Sequence, residues 1–129
     1  MNDFFLAYVE VALWSSNDES TPEGGEPLDR NYGIDDIHPK TLERMMRDCN
    51  QFQSFNANDL TLYDHPQYNA DELGGHDFWL TRNGHDAGFW DRYDCLPEVA
   101  RVRLTAASKK FGEFNLYVGD DGKIHGDQI

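Results

Sequence analysis

The sequence predicts an α+β fold: a single compact domain of about four helices, with a small antiparallel sheet that includes a C-terminal hairpin. Three observations carry this prediction. The segment from Pro39 to Asn56 repeats apolar residues at the 3.6-residue period of a helix. Near the C-terminus, Asp121-Gly122 separates two short alternating segments, which is a strong hairpin signal. The 129 residues fit one domain, residues 1–129, because domains usually hold about 100–200 residues.

A first helix is predicted from Phe4 to Trp14. Its apolar stripe is wide, and Glu10 falls outside it. Asn2 or Asp3 can cap this helix by accepting hydrogen bonds from its first free backbone N–H groups. A strand is the alternative, since tyrosine and valine favour pleated surfaces. The helix is preferred because the apolar run is long and does not alternate.

Residues 15–32 are predicted to form an acidic surface loop. The segment consists mostly of turn-forming residues and acids. From residue 1 to residue 37 there are nine acids against one base, Arg30. Most of the net charge of −13 therefore lies in the first third of the chain.

The helix from Pro39 to Asn56 begins with a proline, which suits the first helical position because the missing N–H would be unpaired there. Asp48 is expected on its outer, solvent-facing side with the other charged residues. Its predicted apolar face consists of Leu42, Met45, Met46, Cys49, Phe52 and Phe55.

A third helix is predicted from Ala70 to Arg82. Asn69 and Glu72 have the spacing of a capping box, in which side chain and backbone satisfy each other at the helix start. Gly74-Gly75 is expected to weaken the helix. Gly84 follows the last turn and can supply a left-handed cap that ends it.

A fourth helix opens at Leu96-Pro97-Glu98 and ends at Gly112. The C-terminal hairpin that follows must pack on the helices or gain a third strand, because a lone hairpin is marginally stable. Gly88-Phe89-Trp90 or Ile34 is expected to supply such a strand. The apolar side of the fourth helix is predicted to consist of Val99, Val102, Leu104, Ala106, Ala107 and Phe111.

Composition and charge exclude several classes of protein. Direct binding of nucleic acid is disfavoured, because phosphates require a basic surface and 24 acids here face 11 bases. No run of residues approaches the ~18 apolar positions of a membrane span. Cys49 and Cys95 form no zinc signature, and the acidic N-terminus lacks the positive region of a secretory signal. These features predict a reduced, cytosolic protein.

Sequence motifs for known chemistry are missing as well. The chain has no nucleophile elbow, no phosphate-binding loop and no dinucleotide fingerprint. Neither cysteine has a neighbouring histidine. We therefore expect no cofactor, no bound metal and no catalytic residue.

The densest group of reactive side chains lies between residues 76 and 92. A ligand site or small hydrolase could use the His76-Asp77 and His85-Asp86 pairs, since imidazole and carboxylate bind metals well. Against a metal, the two histidines are nine positions apart, whereas zinc-binding helices favour a spacing of four. A structural role, with the aromatic residues in the core and the charges paired locally, is the more ordinary interpretation. The alternative ligand set consists of His76, Asp77, Arg82, His85, Asp86, Asp91 and Arg92.

The acidic surface also has two interpretations. Net negative charge keeps a small protein soluble. Alternatively, the carboxylates imitate phosphates and occupy a basic groove on another protein, with fast and salt-sensitive association. The candidate contact residues are Asp18, Glu19, Glu23, Glu26, Asp35 and Asp36.

The segment His76-Asp77-Phe78-Trp79-Leu80-Thr81-Arg82-Asn83-Gly84-His85, followed by Ala87-Gly88-Phe89-Trp90-Asp91-Arg92, resembles the signature of a family of small bacteriophage and mobile-element proteins. Ala7-Tyr8-Val9-Glu10, Ala12-Leu13-Trp14-Ser15-Ser16 and Leu116-Tyr117-Val118-Gly119-Asp120-Asp121-Gly122 are similar too. The chain departs from the pattern at Asp86, where the family has glycine. Glycine would suit a positive φ there, and aspartate is among the residues that tolerate it best.

The resemblance implies a phage or mobile-element protein that acts in the host cytoplasm by binding another protein. Together with the charge, it predicts a protein that inhibits or modulates a host defence or nucleic-acid-handling system, as a nucleic-acid mimic. The expected partner is a host protein with a basic surface, and no membrane is involved. One alternative is the metal- or phosphate-ligand-binding protein or hydrolase described above. Another is a structural or assembly protein of the phage.

Overall fold

The structure is a computed structural model that describes all 129 residues. Its elements consist of five α-helices and four short strands that form two antiparallel pairs, so the predicted α+β fold with a C-terminal hairpin is confirmed. The helices are α1 Asp3–Ser15, α2 Pro39–Phe55, α3 Ala57–Leu60, α4 Ala70–Arg82 and α5 Glu98–Lys110. The strands are β1 Asn17–Asp18 paired with β2 Glu26–Pro27, and β3 Phe114–Val118 paired with β4 Ile124–Gln128.

The helix ends are fixed by the side chains that the sequence indicated. The Asn2 side chain accepts a 2.9 Å hydrogen bond from the Phe5 N–H and so caps α1, which is a helix rather than a strand. The Asn69 side chain accepts a 2.8 Å bond from the Glu72 N–H at the start of α4. Gly84 has a φ of +68° and ends α4 in the left-handed conformation that glycine adopts freely.

Helices α1 and α4 pack closely because α4 carries two glycines where they meet. A Cβ atom on Gly75 would lie 1.9 Å from the carbonyl oxygen of Phe4. A Cβ atom on Gly74 would lie 2.9 Å from the Phe4 ring. The glycines that weaken α4 as an isolated helix are therefore what lets α1 approach it.

One continuous cluster of 23 buried residues forms the core. Phe52 from α2 stacks on Phe78 from α4, with ring centroids 4.1 Å apart and planes 14° apart. Tyr8 from α1 packs against Phe78 and meets Trp79 edge-on. Cys49 lies in this cluster as a free, buried thiol.

Two predicted helix faces differ from the structure. In α5 the buried residues are Ala100, Leu104 and Ser108, whereas Val99 and Val102 are exposed. The prediction of both valines in the core is wrong because two apolar stripes overlap on this helix. In α2, Phe55 is exposed while Asp48 is buried. Asp48 tolerates burial because it pairs with a buried arginine, described below.

The third strand of the C-terminal hairpin is also corrected. Residues 89–91 form a 3-10 turn, and Ile34 begins another. Ile37 instead forms a single parallel bridge to Ile124, and the His38 N–H donates a 2.8 Å bond to the Ile124 carbonyl. The hairpin is held by this bridge and by packing on α2, which meets the requirement that a hairpin not stand alone.

The predicted surface loop, residues 15–32, contains the short β1–β2 pair followed by a 3-10 turn at Leu28–Arg30. Leu28 is fully buried, and its N–H donates a 2.8 Å bond to the Ser16 carbonyl, so it ties the segment to the core. No helix in the molecule has the length and apolar character needed to cross a membrane.

Candidate functional site

A fully buried carboxylate, Asp77, organises the middle of the segment that the sequence singled out. It accepts 2.9 Å hydrogen bonds from Nε and Nη2 of Arg92 and a 2.6 Å bond from the Tyr63 hydroxyl. The His76 ring places Nδ1 3.3 Å from the Asp77 Oδ1. We call Tyr63, His76, Asp77 and Arg92 the Asp77 network. It joins α4 to the loops on either side of it.

The contacts within the Asp77 network shift the pKa values of Asp77, Tyr63 and Arg92. Burial opposes ionisation of Asp77, but hydrogen bonds from His76, Arg92 and Tyr63, together with the Arg92 charge, hold its pKa below the ordinary value. Burial and the facing Asp77 carboxylate raise the pKa of Tyr63 well above its usual range. Hydrogen bonding to Asp77 likewise raises the pKa of Arg92. At neutral pH, the network therefore holds an ionised Asp77, a neutral Tyr63 that donates, and a charged Arg92.

Two members of the network reach a surface cleft between α1 and α4. The His76 side chain is 41% exposed and the Arg92 side chain is 25% exposed. We call this cavity of about 520 Å³ the α1–α4 cleft. It is lined by Ala7, Glu10, Val11, Trp14, Asp29, His65, Tyr68, Glu72, Leu73, His76 and Arg92.

Arg82 belongs to a different set of contacts. Its Nη1 donates to Asp48 at 2.9 Å and to the Tyr8 hydroxyl at 3.1 Å. The rest of the guanidinium donates to the backbone carbonyls of Phe111 and Gly112. Because Arg82 is buried and all these partners belong to the fold, its contacts hold α4 against α1, α2 and the turn between α5 and β3. No hydrogen bond connects Arg82 to the Asp77 network.

The remaining members of the predicted ligand set lie apart from the Asp77 network. His85 is exposed and lines a separate groove beside β3, so it does not converge with His76. Asp91 accepts a 3.1 Å bond from the Gly88 N–H and closes a 3-10 turn. Asp86 is exposed, and its φ is not positive, so the backbone at this position does not require glycine. No group of three or more His, Cys, Asp or Glu side chains is arranged to hold a metal ion.

The six acidic candidates divide into two groups. Asp18 is buried and accepts bonds from the backbone and hydroxyl of Ser20, which lower its pKa. Glu26 contacts Arg30 at 3.3 Å, and Asp36 accepts a 2.8 Å bond from the Gly33 N–H. These three stabilise local structure. The other three are exposed and have no hydrogen-bond or ion-pair partner within the chain: Glu19, Glu23 and Asp35.

Sequence reasoning misses most of the α1–α4 cleft. Trp14 is predicted in the apolar stripe of the first helix, yet it is 59% exposed at the end of α1. Tyr68 is 53% exposed in the loop before α4, and nothing in the local sequence indicates that it faces α1. From the sequence, Glu72 is only half of a capping box. Its side chain accepts a 2.7 Å bond from the side-chain amide of Asn69 rather than from the Asn69 backbone N–H, so only the Asn69 half of the capping box forms. Its position in the cleft is additional.

Comparison of the chain with protein-family models, with curated proteins and with solved structures gives no match.

Proposed function

We propose that this chain is a non-catalytic protein that binds a partner protein with a basic surface and thereby inhibits or modulates it. The acidic segment from Asn17 to Asp36 provides the contact surface and takes the place of a nucleic-acid backbone. On the resemblance to phage and mobile-element proteins, the partner is a host defence or nucleic-acid-handling protein, and the two meet in the host cytoplasm.

One observation carries this proposal: Glu19, Glu23 and Asp35 are exposed and have no partner within the chain. Carboxylates that already accept hydrogen bonds would have to break them before meeting a new cation. These three are free to pair, and the only base in the segment, Arg30, is engaged by Glu26. The segment therefore offers unpaired negative charge on a backbone that the buried Leu28 anchors.

Charge of this kind acts mainly on association. A net charge of −13 attracts a basic surface over distances of about one Debye length, ~8–10 Å at physiological salt, and accelerates encounter. Because the contacts are exposed, added salt screens them. We expect binding that is tight at low ionic strength and weakens steeply as salt is added.

The contacts of the reactive side chains between residues 76 and 92 support a non-catalytic function. Asp77, Arg82 and Asp91 each have hydrogen-bond partners that stabilise the fold. His76 and His85 line different cavities, so the two rings do not share a ligand.

The test is capture of a partner from a bacterial lysate, followed by competition. The tagged chain is immobilised, bound proteins are eluted with a salt gradient, and they are identified by mass spectrometry. We expect a nucleic-acid-binding protein that is released at moderate salt and displaced by duplex DNA. A partner that remains bound in high salt and is indifferent to DNA would overturn the mimic proposal.

A matched pair of variants separates the acidic segment from net charge in general. The triple variant Glu19→Gln, Glu23→Gln, Asp35→Asn removes the three unpaired carboxylates of the segment. The control removes three exposed, unpaired acids elsewhere: Glu43→Gln, Asp94→Asn and Asp127→Asn. We expect the first variant to lose partner binding about tenfold more than the control, and equal losses would contradict the assignment of the surface.

A further inference from the structure

The α1–α4 cleft carries more acidic than basic charge toward solvent. Glu10 and Asp29 line it, are exposed, and have no partner within the chain. Glu72 adds a third carboxylate, held at one oxygen by Asn69. The cation in the lining, Arg92, is already neutralised by the two hydrogen bonds to Asp77. A ligand entering the cleft therefore meets unpaired negative charge.

Two large aromatic side chains line the same cleft and stay exposed. Trp14 is 59% exposed and Tyr68 is 53% exposed. An arginine or lysine over an aromatic face is attracted by the electron-rich ring, and tryptophan gives the strongest such contact. The chain itself shows this arrangement elsewhere, since the Arg101 guanidinium lies 4.5 Å from the centre of the Tyr93 ring. No cation of the chain lies over Trp14 or Tyr68.

Arginine fits these features better than lysine. Its planar guanidinium stacks on an aromatic ring and donates two parallel hydrogen bonds to a carboxylate, whereas an ammonium is a compact point charge that holds its water more tightly. A cavity of about 520 Å³ holds an arginine side chain with its flanking backbone, since pockets of ~300–1,000 Å³ hold ligands of that size.

We propose that the α1–α4 cleft takes an arginine side chain from an exposed segment of the basic partner protein. The guanidinium lies over Trp14 and donates to the carboxylates of Glu10 and Asp29. This inference rests on the proposed function for its choice of a basic protein as the occupant. It adds a defined anchoring contact to an interface that is otherwise governed by diffuse charge.

The test uses a blocked glycine pentapeptide with one central arginine. Two companion peptides carry lysine, or citrulline, which keeps the shape of arginine without its charge. The three tryptophan indole N–H signals are followed by NMR, and they separate Trp14 in the cleft from the buried Trp79 and from Trp90 outside it. We expect the arginine peptide to shift the Trp14 signal, the lysine peptide to bind more weakly, and the citrulline peptide to leave it unchanged.

Variants then locate the contact. Trp14→Ala and Glu10→Gln are each expected to weaken binding of the arginine peptide about tenfold. Binding to Trp14→Ala is measured by calorimetry, because this variant lacks the Trp14 indole signal. Both positions are exposed, so the fold is retained. Trp90→Ala and Glu98→Gln, which change an exposed tryptophan and an exposed acid outside the cleft, are expected to leave binding unchanged. Equal weakening by the cleft variants and these controls would overturn the proposal.

Two further outcomes would also overturn it. The citrulline peptide binding as tightly as the arginine peptide would show that charge is not recognised. Inorganic phosphate shifting the Trp14 signal while the arginine peptide does not would identify an anion site formed by His76 and Arg92 instead.

The outcomes for the cleft and for the proposed function are distinguishable. If the arginine peptide fails to bind but partner capture still depends on Glu19, Glu23 and Asp35, only the cleft proposal is wrong. If the peptide binds in the cleft but no basic partner is captured, the proposed function is wrong and the arginine site remains.

Discussion

The guanidinium of Arg92 donates two hydrogen bonds, each 2.9 Å long, to the two oxygens of the buried Asp77 carboxylate. This pair joins the middle of α4 to the turn after residue 91, and it fixes the position of Arg92, which lines the α1–α4 cleft. Tyr63 donates a third bond to Asp77, so every strong donor near the carboxylate is used. The pair therefore serves both the fold and the shape of the candidate site.

Replacing Asp77 with asparagine is expected to destabilise the protein. The Asp77→Asn variant keeps the size of the side chain but loses the charge that Arg92 and Tyr63 require. Hydrogen bonds to charged groups contribute about 1.5–3 kcal/mol each, and Arg92 is partly exposed, so we expect a loss of about 2–3 kcal/mol. Urea unfolding measures this loss of stability. The control is Asp86→Asn, at an exposed carboxylate without a partner, and a loss equal to the control would contradict the structural role.

The same carboxylate predicts how stability depends on pH. The pKa of Asp77 is lower in the folded protein than in the unfolded chain, where an aspartate titrates near ~3.9. The folded state therefore binds fewer protons than the unfolded state as the pH falls below about 4–5, and acid favours unfolding. The stabilisation from Asp77 is fully present above this window and is lost as the pH falls through the lower, folded-state pKa.

Urea midpoints measured between about pH 6 and pH 3 test this dependence, since stability below pH 5 follows the titrating carboxylates. Other acids also titrate there, so the comparison is with the Asp77→Asn variant. We expect the difference in stability between the two proteins to shrink as the pH falls. A difference that stays constant over this range would contradict the prediction, because it would mean that folding does not lower the pKa of Asp77.

The helix boundaries are predicted well from the sequence because the residues that set them lie next to the helix ends. The cap at Asn69, the proline at the start of α2 and Gly84 after α4 act within one turn of the helix that they bound. The side of each helix that is buried is harder to predict. The first helix is apolar on most sides, so its period does not reveal that Trp14 points outward, and α5 presents two overlapping stripes.

The candidate site is harder still, because it depends on tertiary contacts. Tyr63, Asp77 and Arg92 are separated by 14 and 15 positions, and no spacing rule connects them. His76 and His85 are close in sequence, yet a helix end separates them in space. The sequence groups residues that share a short segment, whereas the fold divides them between a network, a buried ion pair and a turn.

Gly75 is expected to be the least replaceable glycine of α4. A Cβ atom at this position would lie 1.9 Å from the Phe4 carbonyl oxygen, and backbone cannot move aside as a side chain can. Gly75→Ala is therefore expected to cost about 3 kcal/mol, at the upper end of ordinary overpacking, by forcing α1 away from α4. Thermal unfolding measures the loss. In the control Gly33→Ala, the added Cβ has no neighbour within 4 Å and φ is not positive, so little change is expected.

Displacement of α1 also has a consequence for the cleft, since α1 contributes Trp14 and Glu10 to it. A Gly75→Ala protein that remains folded is expected to lose the shift of the Trp14 indole signal on addition of the arginine peptide. Retention of both full stability and the peptide response would contradict the close packing of α1 on α4.

The last prediction concerns the buried ion pair of Arg82 and Asp48. Arg82 is 2% exposed and supplies donors to Asp48, to the Tyr8 hydroxyl and to two backbone carbonyls. Arg82→Met keeps an unbranched stem but removes the guanidinium, so Tyr8 and the two carbonyls lose its donors and Asp48 keeps only its 3.3 Å contacts with Arg44. Removing one partner of a buried pair typically costs about 3–5 kcal/mol, and we expect a loss in this range by urea unfolding. Adding Asp48→Asn to Arg82→Met is expected to recover part of the loss, because it removes a buried charge that retains only the partly exposed Arg44 as a partner. In the pair that the exposed Arg103 forms with the partly buried Asp59, Arg103→Met should cost less than about 1 kcal/mol. A double variant no more stable than Arg82→Met alone would mean that the backbone carbonyls, rather than Asp48, set the cost of losing Arg82.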